Sequence, residues 1–176
     1  MPRYLSFVKG VVDSSDLPLN VSREILQESK VTKIIKKQLV KRSLDALKAL
    51  SQKEDQADWN SFYESFGRNL KLGVIEDTPN RKALSKLLRF ATSQSEDALA
   101  SLDDYVGRMP EGQKQIYYIS GASKAAASAS PVLERLKKQG YEVLFALDQI
   151  DEIALQGVGK FEAVTMVDEY EFHCSA

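Results

Sequence analysis

The chain has 176 residues, 43% of them hydrophobic and 28% charged, with a formal net charge of −1. That suits one compact domain or two small lobes with a real core, and it excludes a chain that holds nucleic acid by overall charge. One cysteine, Cys174, and one histidine, His173, stand side by side near the end, which rules out a disulfide framework or a cysteine-rich zinc site within the chain and removes histidine general-base chemistry from its body.

No apolar run approaches the ~20 residues of a membrane span, and no signal peptide is evident. Met1-Pro2-Arg3 leads directly into an expected strand, so the sequence reads as a segment of a longer chain. Tyr4 to Val12, aromatic and β-branched with an interruption at Gly10, predicts that strand. Asp13 to Leu19, with Pro18, has loop chemistry.

Asn20-Val21-Ser22-Arg23-Glu24-Ile25-Leu26-Gln27 follows. Ser22 is a good helix N-cap and Glu24 suits the positive end of the helix dipole, whereas Arg23 opposes it, at a cost of about 0.3–1 kcal/mol. Arg23 and Gln27 are four apart and share a helix face. A planar, permanently charged guanidinium beside a neutral amide is suited to phosphate oxygens, although a solvated surface arginine would have the same local signature.

Val31, Ile34, Ile35, Leu39, Leu44, Leu47 and Leu50 predict a long amphipathic helix over 31–50. Its cations Lys30, Lys33, Lys36, Lys37, Lys41 and Arg42 lack interleaved aromatics for base stacking, so they read as a solvated face or a protein-docking face. Gln52 to Asp58 is a polar turn, and Trp59, Phe62, Phe66 and Leu70 form a helical core stripe ending near Gly73. Asn80 is placed to cap a helix over Arg81 to Leu88, and Ser101 to cap one that stops before Pro110.

The last third changes character. Strands are predicted at Gln115–Ile119, Tyr141–Leu147 and Val164–Val167, alternating with helices at Ser123–Ser130, at Pro131–Gln139 and at Asp148–Gln156. Gly140 is placed as a C-terminal cap. The alternation predicts an α/β lobe with a short, mainly parallel sheet. Ser120-Gly121-Ala122-Ser123-Lys124 lacks the spacing of a phosphate loop and reads as a serine-capped strand-to-helix turn. The acidic pairs Glu76-Asp77 and Asp103-Asp104, and the acids Asp148, Asp151 and Glu152, read as surface or helix-cap charge rather than catalytic pairs.

Phe7-Val8-Lys9-Gly10-Val11-Val12-Asp13-Ser14-Ser15-Asp16-Leu17-Pro18-Leu19-Asn20-Val21-Ser22-Arg23-Glu24 closely resembles the middle domain of the 90-kilodalton heat-shock chaperones (heat-shock protein 90), which are ATP-driven dimeric clamps. Further blocks that resemble the family are Asn69 to Asp77, Asn80-Arg81, Leu84 to Arg89, Gln115 to Gly121 and Glu142 to Phe145, so the resemblance covers roughly Arg3 to Glu162. Val74-Ile75-Glu76-Asp77, Leu87-Leu88-Arg89-Phe90 and Lys138 to Val143 lean toward endoplasmin, the endoplasmic-reticulum type.

The resemblance implies the end of one α/β unit over 1–28, a helical connector over 29–90, a small α/β/α lobe over 91–168 and an unmatched tail over 169–176. It implies that Arg23 reaches the γ-phosphate of ATP held by a separate N-terminal domain, with Asn20 and Gln27 in support. ATP and Mg²⁺ would then belong to the full-length chaperone, an ATPase, while this segment alone binds neither tightly and is inactive. Implied partners are client proteins, co-chaperones, the chain's own N-terminal ATPase domain and a second copy in a homodimer, with no nucleic acid or membrane. The implied location is the endoplasmic reticulum lumen, or alternatively the cytoplasm. Two other readings are a pure protein-docking module and an unrelated nucleotide-binding α/β enzyme; the missing phosphate loop argues against the latter.

Overall fold

Apolar residues repeating at three and four build the helices of the first half, and short apolar runs build the strands of the second. The computed structural model describes residues 1–13, 30–95, 98–162 and 164–168. Contacts divide the chain into two units, Met1–Glu64 and Ser65–Ala176.

In the first unit, Arg3–Leu5 form a single 3-10 turn that buries Tyr4 and Leu5 completely. The strand expected over Tyr4–Val12 does not form. The backbone closes on itself instead, Leu5 N–H donating to Pro2 O, Ser6 N–H to Arg3 O and Val8 N–H to Leu5 O. A strand needs a ladder partner, and the paired strands among the described residues all lie beyond residue 88.

Helix α1 (Lys30–Ser51) matches the predicted span. It buries Val40, Leu44 and Leu47, four and three apart, but Ile34 is 62% exposed, so the apolar stripe is covered along the second half of the helix and not at Ile34. Helix α2 (Ala57–Glu76) crosses the boundary between the units and runs past Gly73. Its deepest positions are Trp59 and Tyr63, then Gly67, Leu70 and Val74, while Phe62 and Phe66 are half-buried beside them. The Phe62 ring meets Phe7 edge-on at 5.5 Å and Trp59 at 5.4 Å.

In the second unit, α2 ends at Asp77, whose carboxylate accepts from Asn80 N–H and Asn80 Nδ2. Asp77, not Asn80, is therefore the capping side chain of this turn; Asn80 makes no side-chain cap bond to helix α3 (Arg81–Ser85). The helix expected to continue to Leu88 stops there, because the chain turns into strand β1 (Arg89–Thr92), where Phe90 and Thr92 face inward at period two.

The remaining elements are β2 (Ala100–Ser101), α4 (Leu102–Arg108), β3 (Gln115–Ser120), α5 (Lys124–Ser128), α6 (Pro131–Lys138), β4 (Val143–Ala146), α7 (Gln149–Val158), β5 (Lys160–Phe161) and β6 (Val164–Asp168). The sheet order is β2-β1-β4-β3-β6-β5. Its centre, β4-β3-β6, is parallel, with Tyr118 opposite Leu144 and Ile116 opposite Met166. This is the predicted parallel trio. The short strands β1, β2 and β5, which hydrophobic patterning did not reveal, extend it antiparallel at both sides.

Both faces of the centre are covered, as its unbroken apolar runs require. Tyr117, Ile119, Val143, Phe145 and Val167 pack on one face against Ala127, Val132, Leu133 and Leu136 of α5 and α6, and α7 packs against β4 and β6. Pro131 opens α6 and Gly140 closes it at φ 82°, with Tyr141 N–H donating to Leu136 O and Gly140 N–H to Lys137 O.

Candidate functional site

Asn20, Arg23 and Gln27 lie outside the described residues, as do Ser22, His173 and Cys174. The other polar motifs singled out in the sequence are described, and their geometry assigns them structural work.

Ser120-Gly121-Ala122-Ser123-Lys124 is the capped turn it was expected to be. The Ser123 hydroxyl accepts from Ala126 N–H, Lys124 Nζ donates to Ser95 O, and Ser120 Oγ donates to Glu152. A Cβ at Gly121 would stand 3.0 Å from Ala127 Cβ and 3.1 Å from Ala127 N, so only a glycine lets this turn pack so closely on α5.

The acids likewise hold backbone. Ser101 and Asp104 form a reciprocal capping box at the start of α4, and Asp148 and Asp151 do the same for α7. Burial works against the Asp104 charge, but its bonds from Ser101 Oγ and Ser101 N–H, with Arg89 and Arg108 nearby, hold its carboxyl below the usual range. Asp151 does more than cap. Its Oδ2 accepts from Leu147 N–H and Asp148 N–H, and Oδ1 faces Lys71 Nζ in a nearly dry ion pair that ties α7 to α2. The basic run of α1 is solvated: Lys30, Lys33, Lys36, Lys37, Lys41 and Arg42 are all exposed.

Two polar centres had no local signature. The Glu142 carboxylate is 4% exposed and held bidentately by Arg108, Nε to Oε2 at 3.0 Å and Nη2 to Oε1 at 2.8 Å. Tyr105 donates to Glu142 O at 2.6 Å and accepts from Tyr117 N–H and Gln113 Nε2. Burial pushes its phenol up to about 12, against the lowering by those two donors. Elsewhere Lys86 bridges Glu162 at 2.8 Å and Asp103 at 3.6 Å and lies over the Phe161 ring. The Lys86 hydrogen bond holds the Glu162 carboxyl below its usual range and, with both acids near, raises Lys86 itself despite partial desolvation. These partners sit from 8 (Tyr105 to Gln113) to 76 (Lys86 to Glu162) residues apart and on different segments, so periodicity could not pair them. Among the described residues no group of three or more acids, histidines or cysteines could hold a metal, and no helix is long and apolar enough to cross a membrane.

The family model for Hsp90 protein matches residues 1–170. Two Arabidopsis thaliana proteins, a chloroplastic heat shock protein 90-5 and a mitochondrial heat shock protein 90-6, are each 50% identical over 167 residues, covering 95% of this chain and 21% of theirs. The chain thus spans about a fifth of the length of these relatives. Among solved structures, the middle domain of a Plasmodium falciparum heat-shock protein superposes with a TM-score of 0.85 at 38% identity, over 96% of this chain and 64% of that one. The lean toward endoplasmin finds no support in these names, which are those of chloroplast and mitochondrial proteins.

Proposed function

The chain belongs to the Hsp90 family and corresponds to its middle domain, and on that premise we propose that it serves an ATP-driven chaperone by donating Arg23 to the γ-phosphate of ATP held by the family's N-terminal domain. The sequence feature behind this reading is the motif Asn20 to Gln27, with a cation where the dipole of the helix expected from Ser22 onward would oppose it. The guanidinium offers a rigid fork of donors to phosphate oxygens whose charge grows as the terminal phosphoryl leaves. Asn20 and Gln27 orient it. ATP, with its Mg²⁺, is the substrate of the full-length protein, which works as a homodimer on clients and co-chaperones.

Arg23→Ala in the parent chain tests it. Loss of one preorganised donor to developing charge lowers turnover by about 10²–10³-fold, with a smaller change in ATP affinity. Unchanged turnover would sink the reading. A thermal melt of the 176-residue chain with ATP and Mg²⁺ separates it from a self-contained nucleotide enzyme, which would be clearly stabilised.

The second reading, a docking module with no part in hydrolysis, draws on the exposed cations and the exposed Ile34 of α1. Calorimetric titration with an activating co-chaperone, comparing the parent chain and Lys36→Ala/Lys37→Ala, measures that docking independently of turnover. For the compartment, an organelle like those of the two plant relatives is the working assignment, with the cytoplasm as the alternative; imaging the full-length protein decides between them.

A further inference from the structure

We propose that the open cleft formed by the turn after α2, by α3 and by the β5–β6 hairpin binds a small, multiply charged phosphate-bearing anion. The cavity has a volume of about 550 Å³ and is lined by three cations from two separate stretches, Arg81 and Lys82 of α3 and Lys160 of β5. That size is in the range of small-ligand pockets, roughly 300–1,000 Å³.

Arg81 is fixed before any ligand arrives. Its Nε donates to Val74 O at 2.8 Å, and Nη2 to Thr78 Oγ1 at 3.2 Å and Ile75 O at 3.5 Å. These bonds finish the carbonyl end of α2 and lock the guanidinium plane, leaving Nη1 with no hydrogen bond among the described residues. The Thr78 hydroxyl, already accepting from Arg81, retains its own proton to donate.

The side chains of Lys82 and Lys160 are exposed and make no hydrogen bond or salt bridge among the described residues. The cavity's one carboxylate, Glu162, attracts Lys82 at longer range but is bonded to Lys86, so its charge is answered from outside the lining set. Glu162 also sits at φ 45°, a left-handed conformation that a non-glycine residue rarely adopts. The remaining arrangement is a preoriented guanidinium edge, a hydroxyl and two flexible ammonium groups. An anion with several oxygens and more than one charge satisfies all of them; a single carboxylate does not.

Inorganic pyrophosphate, titrated calorimetrically into the 176-residue chain, is the probe. Saturable binding is expected, with Lys82→Ala and Lys160→Ala each weakening it about tenfold, the loss of one charge-assisted contact. Both side chains are exposed, and unliganded melting temperatures that match the parent's confirm intact folds. Lys36→Ala/Lys37→Ala, on the basic face of α1, is the control and leaves binding unchanged. Absence of saturable binding overturns the proposal, as does equal weakening by the control pair, which would mean diffuse attraction. A phosphoserine peptide that binds where pyrophosphate does not overturns the assignment to a small ligand.

Discussion

The centre of the sheet and helix α1 bury apolar surface in very different degrees. Ile116, Tyr118, Val143, Leu144 and Phe145 are at most 3% exposed, on strands β3 and β4 that each have a neighbouring strand on both sides and helices packed beyond. Over its 22 residues α1 buries Val40, Leu44 and Leu47 and leaves Ile34 mostly in water. Stability is therefore concentrated in the sheet lobe, and α1 is the region that can change its surface at little cost.

Leu144→Ala should cost most. Leu144 is fully buried, and a truncated core leucine loses its transfer energy and leaves a cavity, about 2–5 kcal/mol. Leu47→Ala in α1, at 8% exposure, belongs at the low end of the same roughly 2–5 kcal/mol range. Urea denaturation followed by circular dichroism measures both, and equal losses would break the contrast between the regions.

Tyr105→Phe removes a hydroxyl that donates to Glu142 O and accepts from Tyr117 N–H, leaving buried backbone groups short of partners at about 1–3 kcal/mol. It also has a pH signature. The folded phenol titrates near 12, above its unfolded value of 10.0, so its contribution is complete below pH 10 and is lost as pH rises through 12. Alkaline denaturation of Tyr105→Phe should lack that component; an unaltered profile would show that Tyr105 does not report the packing of α4 on the sheet.

Ser101→Ala takes one half of a capping box and should cost about 1 kcal/mol. Because Ser101 helps hold the Asp104 carboxyl below its ordinary range, the stability it adds is present above the unfolded carboxyl pKa and fades as pH falls through the folded one. Comparing chemical melts at neutral and acidic pH should show the difference between wild type and Ser101→Ala shrinking in acid. The smallest effect is expected in α1, where Lys36→Ala should stay within about 0.5 kcal/mol of the parent by the same melts. A larger loss would mean that this face is held by something and is not simply solvated.

Much of the sheet lobe was legible because its signals are local. Ser101, Ser123, Pro131 and Gly140 each act on backbone within a few residues, and the apolar runs 115–119 and 141–147 are already strand patterns, the second forming its strand over Val143–Ala146. The edge strands β2 and β5 are two residues long, too short for any period to show. The candidate arginine was legible as a motif and not as a geometry, since Asn20, Arg23 and Gln27 lie outside the described residues.

Residue order alone determined the long helix, read over 31–50, the serine-capped turns at Ser101 and Ser123, the parallel trio and the family, because propensity, capping and alternation are properties of neighbours along the chain. Tertiary structure alone decided that Tyr4 and Leu5 turn inward instead of pairing in a ladder, that Asp77 caps in place of Asn80, and that Arg108 meets Glu142. It likewise decided that Arg81, Lys82 and Lys160 line one cavity. Those outcomes depend on which distant groups remain to satisfy a backbone amide, a buried carboxylate or a guanidinium once the chain has packed, and that choice has no period to read.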